Sequence, residues 1–212
     1  MTDQVDNHET TRTRDRYQRI SQVYDTVEIL PERRYISWRE RLWSLVRGPD
    51  ILEVGVGTGK NFAFYTKGVQ VTGVDLTPGM LDRARKRAAI LNIDVTLLYG
   101  DAQNLEFSDS SFDSVVATFV FCSVSDPIFG LKELGRVIKP DGHIILVEHV
   151  RSDKPVVGGL MDILNPVVVR VTGANINRRT VENVNRSGLM IDRVENLGMG
   201  DIFKLIIARR KK

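Results

Sequence analysis

The sequence predicts an α/β fold, an open and mostly parallel sheet with helices on both faces, and three observations carry that expectation. Short apolar runs at 51–54, 69–74, 95–99, 112–118 and 143–149 recur with helix-length segments between several of them, which is the rhythm of strand–helix–strand units. The first run ends in glycines at 55, 57 and 59, and the second ends on Asp75. A strand that breaks into closely spaced glycines marks a turn where backbone must approach a ligand, followed by a helix start. A carboxylate about 20 residues further on, closing the neighbouring strand, is where such folds hold a ribose.

The remaining elements follow in order. Thr77-Pro78-Gly79-Met80 opens a helix, with Thr77 as N-cap and Pro78 at the first position. Val95–Tyr99 reads as the third strand and leads to Gly100-Asp101-Ala102. Phe112–Thr118 reads as the fourth and delivers Phe119, Phe121 and Cys122 to its carboxyl end, where open α/β sheets bind ligands. Leu131–Lys139 has helical spacing, Pro140-Asp141-Gly142 turns the chain, and His143–His149 is the next strand. Asn177 or Thr180 would cap a later helix, and Ile202–Ala208 alternates as a final strand.

The glycine spacing selects the ligand. Dinucleotide folds use Gly-x-Gly-x-x-Gly to seat a pyrophosphate on a helix N-terminus, whereas this chain has Glu53-x-Gly55-x-Gly57-x-Gly59. A glutamate beside the loop repels phosphate and suits a cation. The pattern resembles motif I of the class I S-adenosylmethionine-dependent methyltransferases, and Gly100-Asp101-Ala102 and Pro140-Asp141-Gly142 resemble later motifs of that family, the last with Asp141 where a glycine is usual. The resemblance covers roughly residues 50 to 150. It implies a Rossmann-like, open, seven-stranded and mostly parallel sheet whose last pair is antiparallel. It also implies S-adenosylmethionine as cofactor, with Glu53, Gly55, Gly57, Gly59, Asp75, Leu76, Met80, Asp101, Ala102 and Thr118 as its contacts. Asp75 would hold the ribose, Met80 would lie near the adenine, Asp101 would take the exocyclic amine and the Ala102 backbone would reach the ring.

Composition bounds the rest. A chain of 212 residues with 42% hydrophobic residues can bury one substantial core. No run approaches the roughly 18 apolar residues of a membrane span, and the polar first residues lack the apolar centre of a signal peptide. A single cysteine, Cys122, excludes an internal disulfide, and His8, His143 and His149 show no metal-ligand spacing. A cytoplasmic, metal-independent protein is expected, and nothing in the pattern points to nucleic acid. The net charge of +3 conceals a basic N-terminal segment, with nine arginines between Arg12 and Arg47 against five carboxylates.

That segment carries a second resemblance. Arg16-Tyr17 and Tyr24-Asp25 look like the pairs that precede the fold in bacterial phospholipid N-methyltransferases and the related quinone methyltransferases, where an aromatic arm folds over the cofactor. Residues 1–47 are accordingly read as a basic, aromatic helical arm over the site, and 48–212 as the cofactor-binding domain. Tyr17, Ile20, Val23 and Tyr24 share one helical face, as an interfacial helix on an anionic membrane would; a solvated helix capping the domain has the same pattern. Glu148-His149-Val150 is shared with the lipid and quinone enzymes, so Tyr17, Tyr24 and His149 are the catalytic candidates. Tyrosine faces attract sulfonium or methylammonium cations, worth ~1–2 kcal/mol when desolvated.

Residues 151–175 are very apolar and contain Gly158-Gly159 and Pro166, so they read as an irregular lid that receives a lipid tail, with an oligomer contact as the alternative. The acceptor expected is a phospholipid amine of phosphatidylethanolamine type, or another apolar small molecule, met by a peripheral protein on the inner face of the cell membrane. A quinone precursor methylated on carbon or a small thiol are the sibling acceptors. A nicotinamide oxidoreductase and a non-catalytic cofactor-binding protein are the alternatives from other classes. Oligomeric state is left open.

Overall fold

The computed structural model describes residues 7–21, 29–198 and 200–211. Two helices, α1 (Asn7–Ile20) and α2 (Ile29–Trp43), precede the sheet. The sheet comprises β1 (Asp50–Val54), β2 (Gln70–Asp75), β3 (Thr96–Tyr99), β4 (Phe112–Thr118), β5 (Ile138–His149), β6 (Leu189–Gly198) and β7 (Phe203–Arg210). Between the strands lie α3 (Pro78–Leu91), α4 (Pro127–Val137), α5 (Pro155–Thr172) and α6 (Thr180–Arg186).

The strand order is β3-β2-β1-β4-β5-β7-β6. Strands β1 to β5 pair in parallel, and β7 runs antiparallel to both β5 and β6. The chain therefore builds outward from β1 to one side and then returns to build outward from β4, which leaves a crevice at the carboxyl ends of β1 and β4. This is the Rossmann-like arrangement expected.

Alternate residues along each central strand feed opposite faces, as the pleat requires. Leu52, Val115, Ile144 and Ile206 join one core with Leu131 and Leu134 of α4. Their neighbours Ile51, Val116, Ile145 and Leu205 join a second core with Trp38, Leu42 and Trp43 of α2. Burial on both faces is why these strands read as continuous apolar runs rather than alternating ones. Each fully buried Leu or Ile contributes about 1.5–3 kcal/mol of transfer free energy.

The helices that frame the site have clear ends. Pro78 starts α3, and Asn92 ends it in a left-handed conformation (φ 52°) with its N–H on Ala88 and Ala89 carbonyls. Thr77 occupies the N-cap position of α3 without capping it through its hydroxyl, which turns to Asp75 instead. At α4 the cap is Asp126, whose carboxylate accepts from the Ile128 and Phe129 N–H groups at 3.0 and 2.9 Å.

The structure departs from expectation in the C-terminal third. The segment 151–175 contains a single regular helix, α5, with Pro166 inside it, rather than an irregular lid. By length and composition that helix is apolar enough to cross a membrane, which corrects the reading that no such run exists. Neither Asn177 nor Thr180 caps α6: Arg179 holds the cap position and Thr180 is the first helical residue, its buried hydroxyl without a partner. Strand β5 begins at Ile138 rather than after Gly142, because Gly142 packs so closely on Ile138 and the Asp113 carbonyl that the segment stays against β4. A seventh strand was expected but not placed; it is β6, which as an edge strand carries half-exposed, charged residues and so lacks an apolar run.

Candidate active site

A cleft of about 810 Å³, open to solvent at its mouth, lies over the carboxyl ends of β1, β2 and β4. Its floor is Val54, Gly55 and Gly57 after β1, Asp75, Leu76 and Thr77 after β2, Met80 of α3, and Gly100 to Gln103 after β3. Its far wall is Thr118 to Val120 and Ser123 to Ser125 after β4, with Thr10, Thr13 and Tyr17 of α1 across the top.

The glycine loop is shaped by backbone that side chains resist. Gly55, Gly57 and Gly59 have φ of +68°, +57° and +79°. A Cβ on Gly55 would sit 2.3 Å from a Val120 methyl, whereas one on Gly57 would meet nothing nearer than 4.0 Å, so Gly57 presents bare backbone to the cleft. Gly59 serves the fold: its own Cβ would strike the Phe62 ring at 2.4 Å, and it does not line the cleft.

Asp75 is the anchor of this loop. Its two carboxylate oxygens accept from the Gly57 N–H and the Thr77 N–H, each at 2.8 Å. Burial pushes its pKa up, and those two N–H bonds pull it back. Each carboxylate oxygen retains a second lone-pair site, so the group suits two ribose hydroxyls. Asp101 lines the neighbouring end of the cleft. It is steadied by Gln103, whose backbone N–H reaches one carboxylate oxygen at 2.9 Å and whose amide reaches both at 3.2 and 3.1 Å. Leu76, Met80 and Ala102 form an apolar slot between the two acids.

Glu53 stands elsewhere than expected. It does not line the cleft but lies fully buried beneath the loop, where it accepts from the Asn61 amide at 2.7 Å and from the Tyr65 hydroxyl. Asn61 in turn accepts from Arg39 at 2.6 Å and donates to Thr118 at 3.1 Å. Desolvation raises the Glu53 pKa to about 7, against the pull of Tyr65, Asn61 and Arg39. This network ties α2, the glycine loop and the end of β4 into one unit.

The wall after β4 is strained. Phe119 lines the cleft with φ +58°, a left-handed conformation costly for a bulky residue, held by its N–H on the Val147 carbonyl at 2.8 Å. The turn that follows is capped by Glu148, wholly buried, which accepts from the Val120 and Phe121 N–H groups at 3.0 and 3.1 Å. Burial raises the Glu148 pKa to about 7.

The three catalytic candidates separate. Tyr17 lines the cleft, and its hydroxyl shares a 2.7 Å hydrogen bond with Ser123. Tyr24 lies outside the described residues. His149 is not among the cleft residues; it is half-buried beside Phe203, edge to face at 5.1 Å, with Nδ1 unpartnered and its pKa lowered by burial. Tyr17 also faces inward rather than towards a membrane, which corrects the interfacial face assigned to it.

Gln103, Asn61, Glu148 and Ser123 were not anticipated. Gln103 is almost fully buried, donates to Thr10 of α1 at 3.0 Å and accepts from the Asp126 N–H at 2.8 Å. Its place two residues after Asp101 was a usable signal. Glu148 was marked only through its place in Glu148-His149-Val150, and Asn61 and Ser123 had no signal, because what they bind is decided by tertiary contacts.

Glycines that bare their backbone, an acid set for a ribose and a second acid beside an apolar slot, all at the switch point of a Rossmann-like sheet, define a nucleoside-binding α/β protein. Residues 52–146 match the family model of a methyltransferase domain. A phosphatidylethanolamine N-methyltransferase of Cereibacter sphaeroides is 39% identical over 110 residues, 51% of this chain and 54% of the relative. A demethylmenaquinone methyltransferase of Staphylococcus aureus is 34% identical over 148 residues, 66% of this chain and 61% of the relative. The chain thus spans between about half and three-fifths of the length of these curated relatives. A SAM-dependent methyltransferase structure from Thermotoga maritima superposes with a TM-score of 0.71 at 23% identity, covering 93% of this chain and 99% of that one. Over residues 52–146 the chain is similar to a methyltransferase domain, for which S-adenosylmethionine is the cofactor implied, and its sheet has the fold of the Thermotoga maritima methyltransferase.

Proposed function

We propose that this protein transfers methyl groups from S-adenosylmethionine to the amine of a phospholipid head group of phosphatidylethanolamine type at a membrane surface. The bound cofactor supplies an electrophilic methyl on a sulfonium leaving group. This chain's residues supply the rest. Asp75 and Asp101 hold the two ends of the nucleoside, Gly55 and Gly57 admit the methionine part against bare backbone, and α1 lies across part of the mouth and limits the access of water to the reacting atoms.

The observation that carries the acceptor class is the chemistry of the cleft wall beyond the cofactor. Among the described residues, that wall offers Tyr17, Thr118, Phe119 and Ser123, which are hydroxyls and rings, and no carboxylate or imidazole. The ethanolamine ammonium first loses a proton to solvent, after which the neutral amine attacks with its own lone pair, so the cleft wall must position it more than supply a strong base. The rings of Tyr17 and Phe119 suit a nitrogen that becomes cationic as the methyl arrives. Methylation of a quinol on carbon demands removal of a proton before or during attack, and His149 stands outside the cleft. The relative named phosphatidylethanolamine N-methyltransferase supports the same acceptor.

The quinone acceptor is the second reading, favoured by the longer match to the demethylmenaquinone methyltransferase. The test is mass spectrometry of products formed from methyl-labelled S-adenosylmethionine with a total lipid extract, a quinone precursor and a small-thiol panel in parallel. Label in mono-, di- or trimethylated ethanolamine lipid establishes the proposal. Label confined to the quinone or the thiols transfers the cleft to those acceptors.

A further inference from the structure

The outer surface of α5 is the largest feature of the fold that the cleft does not explain. Val156, Val157, Leu160, Ile163, Leu164, Val167 and Val171 are all exposed, Val156 at 86% and Ile163 at 75%. Successive residues of a helix turn by about 100°, so these seven fall within an arc of roughly 120° along the whole helix, about 27 Å at 1.5 Å per residue. No member of α5 lines the cleft. The opposite face is bonded to the fold: Asp162 to Arg151 at 2.8 Å and to Asn177 at 3.1 Å, and Asn165 to Asn175 at 3.2 Å. Both flanking segments return to the sheet side, Arg151 N–H to the Arg178 carbonyl and Asn175 N–H to the Cys122 carbonyl, each at 2.9 Å. The helix lies along the surface and does not span.

Charge identifies what covers it. Lys154 stands at one end of the stripe and Arg170 in the last turn, both exposed. Gly173, just past the helix, packs against the Arg16 side chain of α1. On α1 the cleft-lining residues Thr10, Thr13 and Tyr17 share one side, and Arg12, Arg16 and Arg19 share the other by the same helical spacing. Arg12 and Arg19 are exposed, Arg12 paired with Glu9 at 3.1 Å, while Arg16 is half-buried against Gly173, so the aliphatic stripe continues into two exposed guanidiniums. A second copy seated on the stripe would set like charges together in either orientation, Lys154 against Arg170 or each against itself. The stripe also lacks the aromatic and arginine anchors of protein interfaces. Aliphatic side chains beside basic residues are what an interfacial helix presents to anionic head groups.

We infer that α5 is the membrane-contacting element, its aliphatic face set into the head-group boundary of an anionic lipid surface with the exposed Arg12 and Arg19 against lipid phosphates. This deepens the lipid-acceptor reading and draws its purpose from it: Asn175 is bonded to Cys122, beside Ser123 in the cleft wall, so docking along α5 brings the cleft close to the lipid plane. The binding is measured without cofactor or turnover, which separates its failure from failure of the catalytic reading.

The experiment is co-sedimentation of the full chain with vesicles of phosphatidylglycerol and phosphatidylcholine, and with phosphatidylcholine alone. The expected result is binding to the anionic vesicles that falls at least about tenfold in the double variant Ile163→Glu/Val167→Glu, with circular dichroism and Tm unchanged because both side chains are exposed. The variant Arg12→Glu/Arg19→Glu should lose the preference for anionic vesicles and the sensitivity to salt. Unaltered vesicle binding by Ile163→Glu/Val167→Glu overturns the inference. So does absence of vesicle binding by the unaltered chain, or a dimer in analytical ultracentrifugation that this variant converts to monomer.

Discussion

The two walls of the cleft are held in different ways. On the side of β1 and β2, the chain is fixed by backbone: three glycines at positive φ, and an aspartate whose oxygens are taken by the N–H groups of Gly57 and Thr77. On the side of α1 and the turn after β4, it is fixed by side chains that meet across long separations. Tyr17 and Ser123 are 106 residues apart, Thr10 and Gln103 are 93 apart, and Thr10 and Ser125 are 115 apart. A wall held by backbone keeps a geometry that no side chain can alter. A wall held by side chains has contacts that can be exchanged singly. Backbone devices fail abruptly when disturbed, and side-chain contacts fail by degrees.

The sharpest way to break the comparison is Gly55→Ala. The new methyl meets Val120 at 2.3 Å on a residue at φ +68°, a combination expected to cost about 2–5 kcal/mol. Isothermal titration with S-adenosylhomocysteine should show affinity reduced by about a hundredfold or more. Asp75→Asn comes next. A single amide oxygen cannot serve two N–H groups and the ribose as a carboxylate does, and loss of charge-assisted bonds at about 1.5–3 kcal/mol predicts affinity weaker by about ten- to a hundredfold in the same titration.

The wall after β4 is probed by pH. The pKa of Glu148 is raised from its ordinary value of 4.5 to about 7 in the fold. Its proton is therefore held more tightly when folded, and its contribution to stability is full below about pH 4.5 and is lost as pH rises through about 7. At 1.36 kcal/mol per pH unit the span is about 3 kcal/mol. Chemical denaturation from pH 4.5 to 8 should show Glu148→Gln with a flatter profile than the unaltered protein; parallel profiles would refute the assignment. The smallest effect is expected from Tyr17→Phe, which removes one hydrogen bond worth about 1 kcal/mol. Its kcat/KM should fall by up to about tenfold with cofactor affinity unchanged. An equal fall in cofactor affinity would place Tyr17 with the backbone-held wall and erase the contrast.

The same division governs how much could be read before the structure. Gly55, Gly57, Gly59, Asp75, Asp101 and the strands beneath them were legible because each signal is local, a glycine where φ is positive or an acid at the end of an apolar run. Glu53 shows the limit: its position was visible, but its partners Asn61 and Tyr65, which draw it under the loop, were not. His149 likewise was read at the end of β5, yet which way the imidazole turns depends on Phe203 of β7, its pairing partner in the sheet.

By itself, the sequence determined the sheet, the switch-point crevice and the glycine loop with Asp75 beside it, because period, spacing and backbone preference are properties of neighbouring residues. Only the tertiary structure decided that residues 155–172 form one straight-through helix turned outward rather than a lid, that α1 gives the cleft its hydroxyls and solvent its arginines, and that Glu148 caps the acceptor wall. The physical reason is that an apolar stripe packs equally well on core, lipid or a second copy, and a titratable side chain serves whichever neighbours the fold delivers. Neither choice is encoded until distant segments meet.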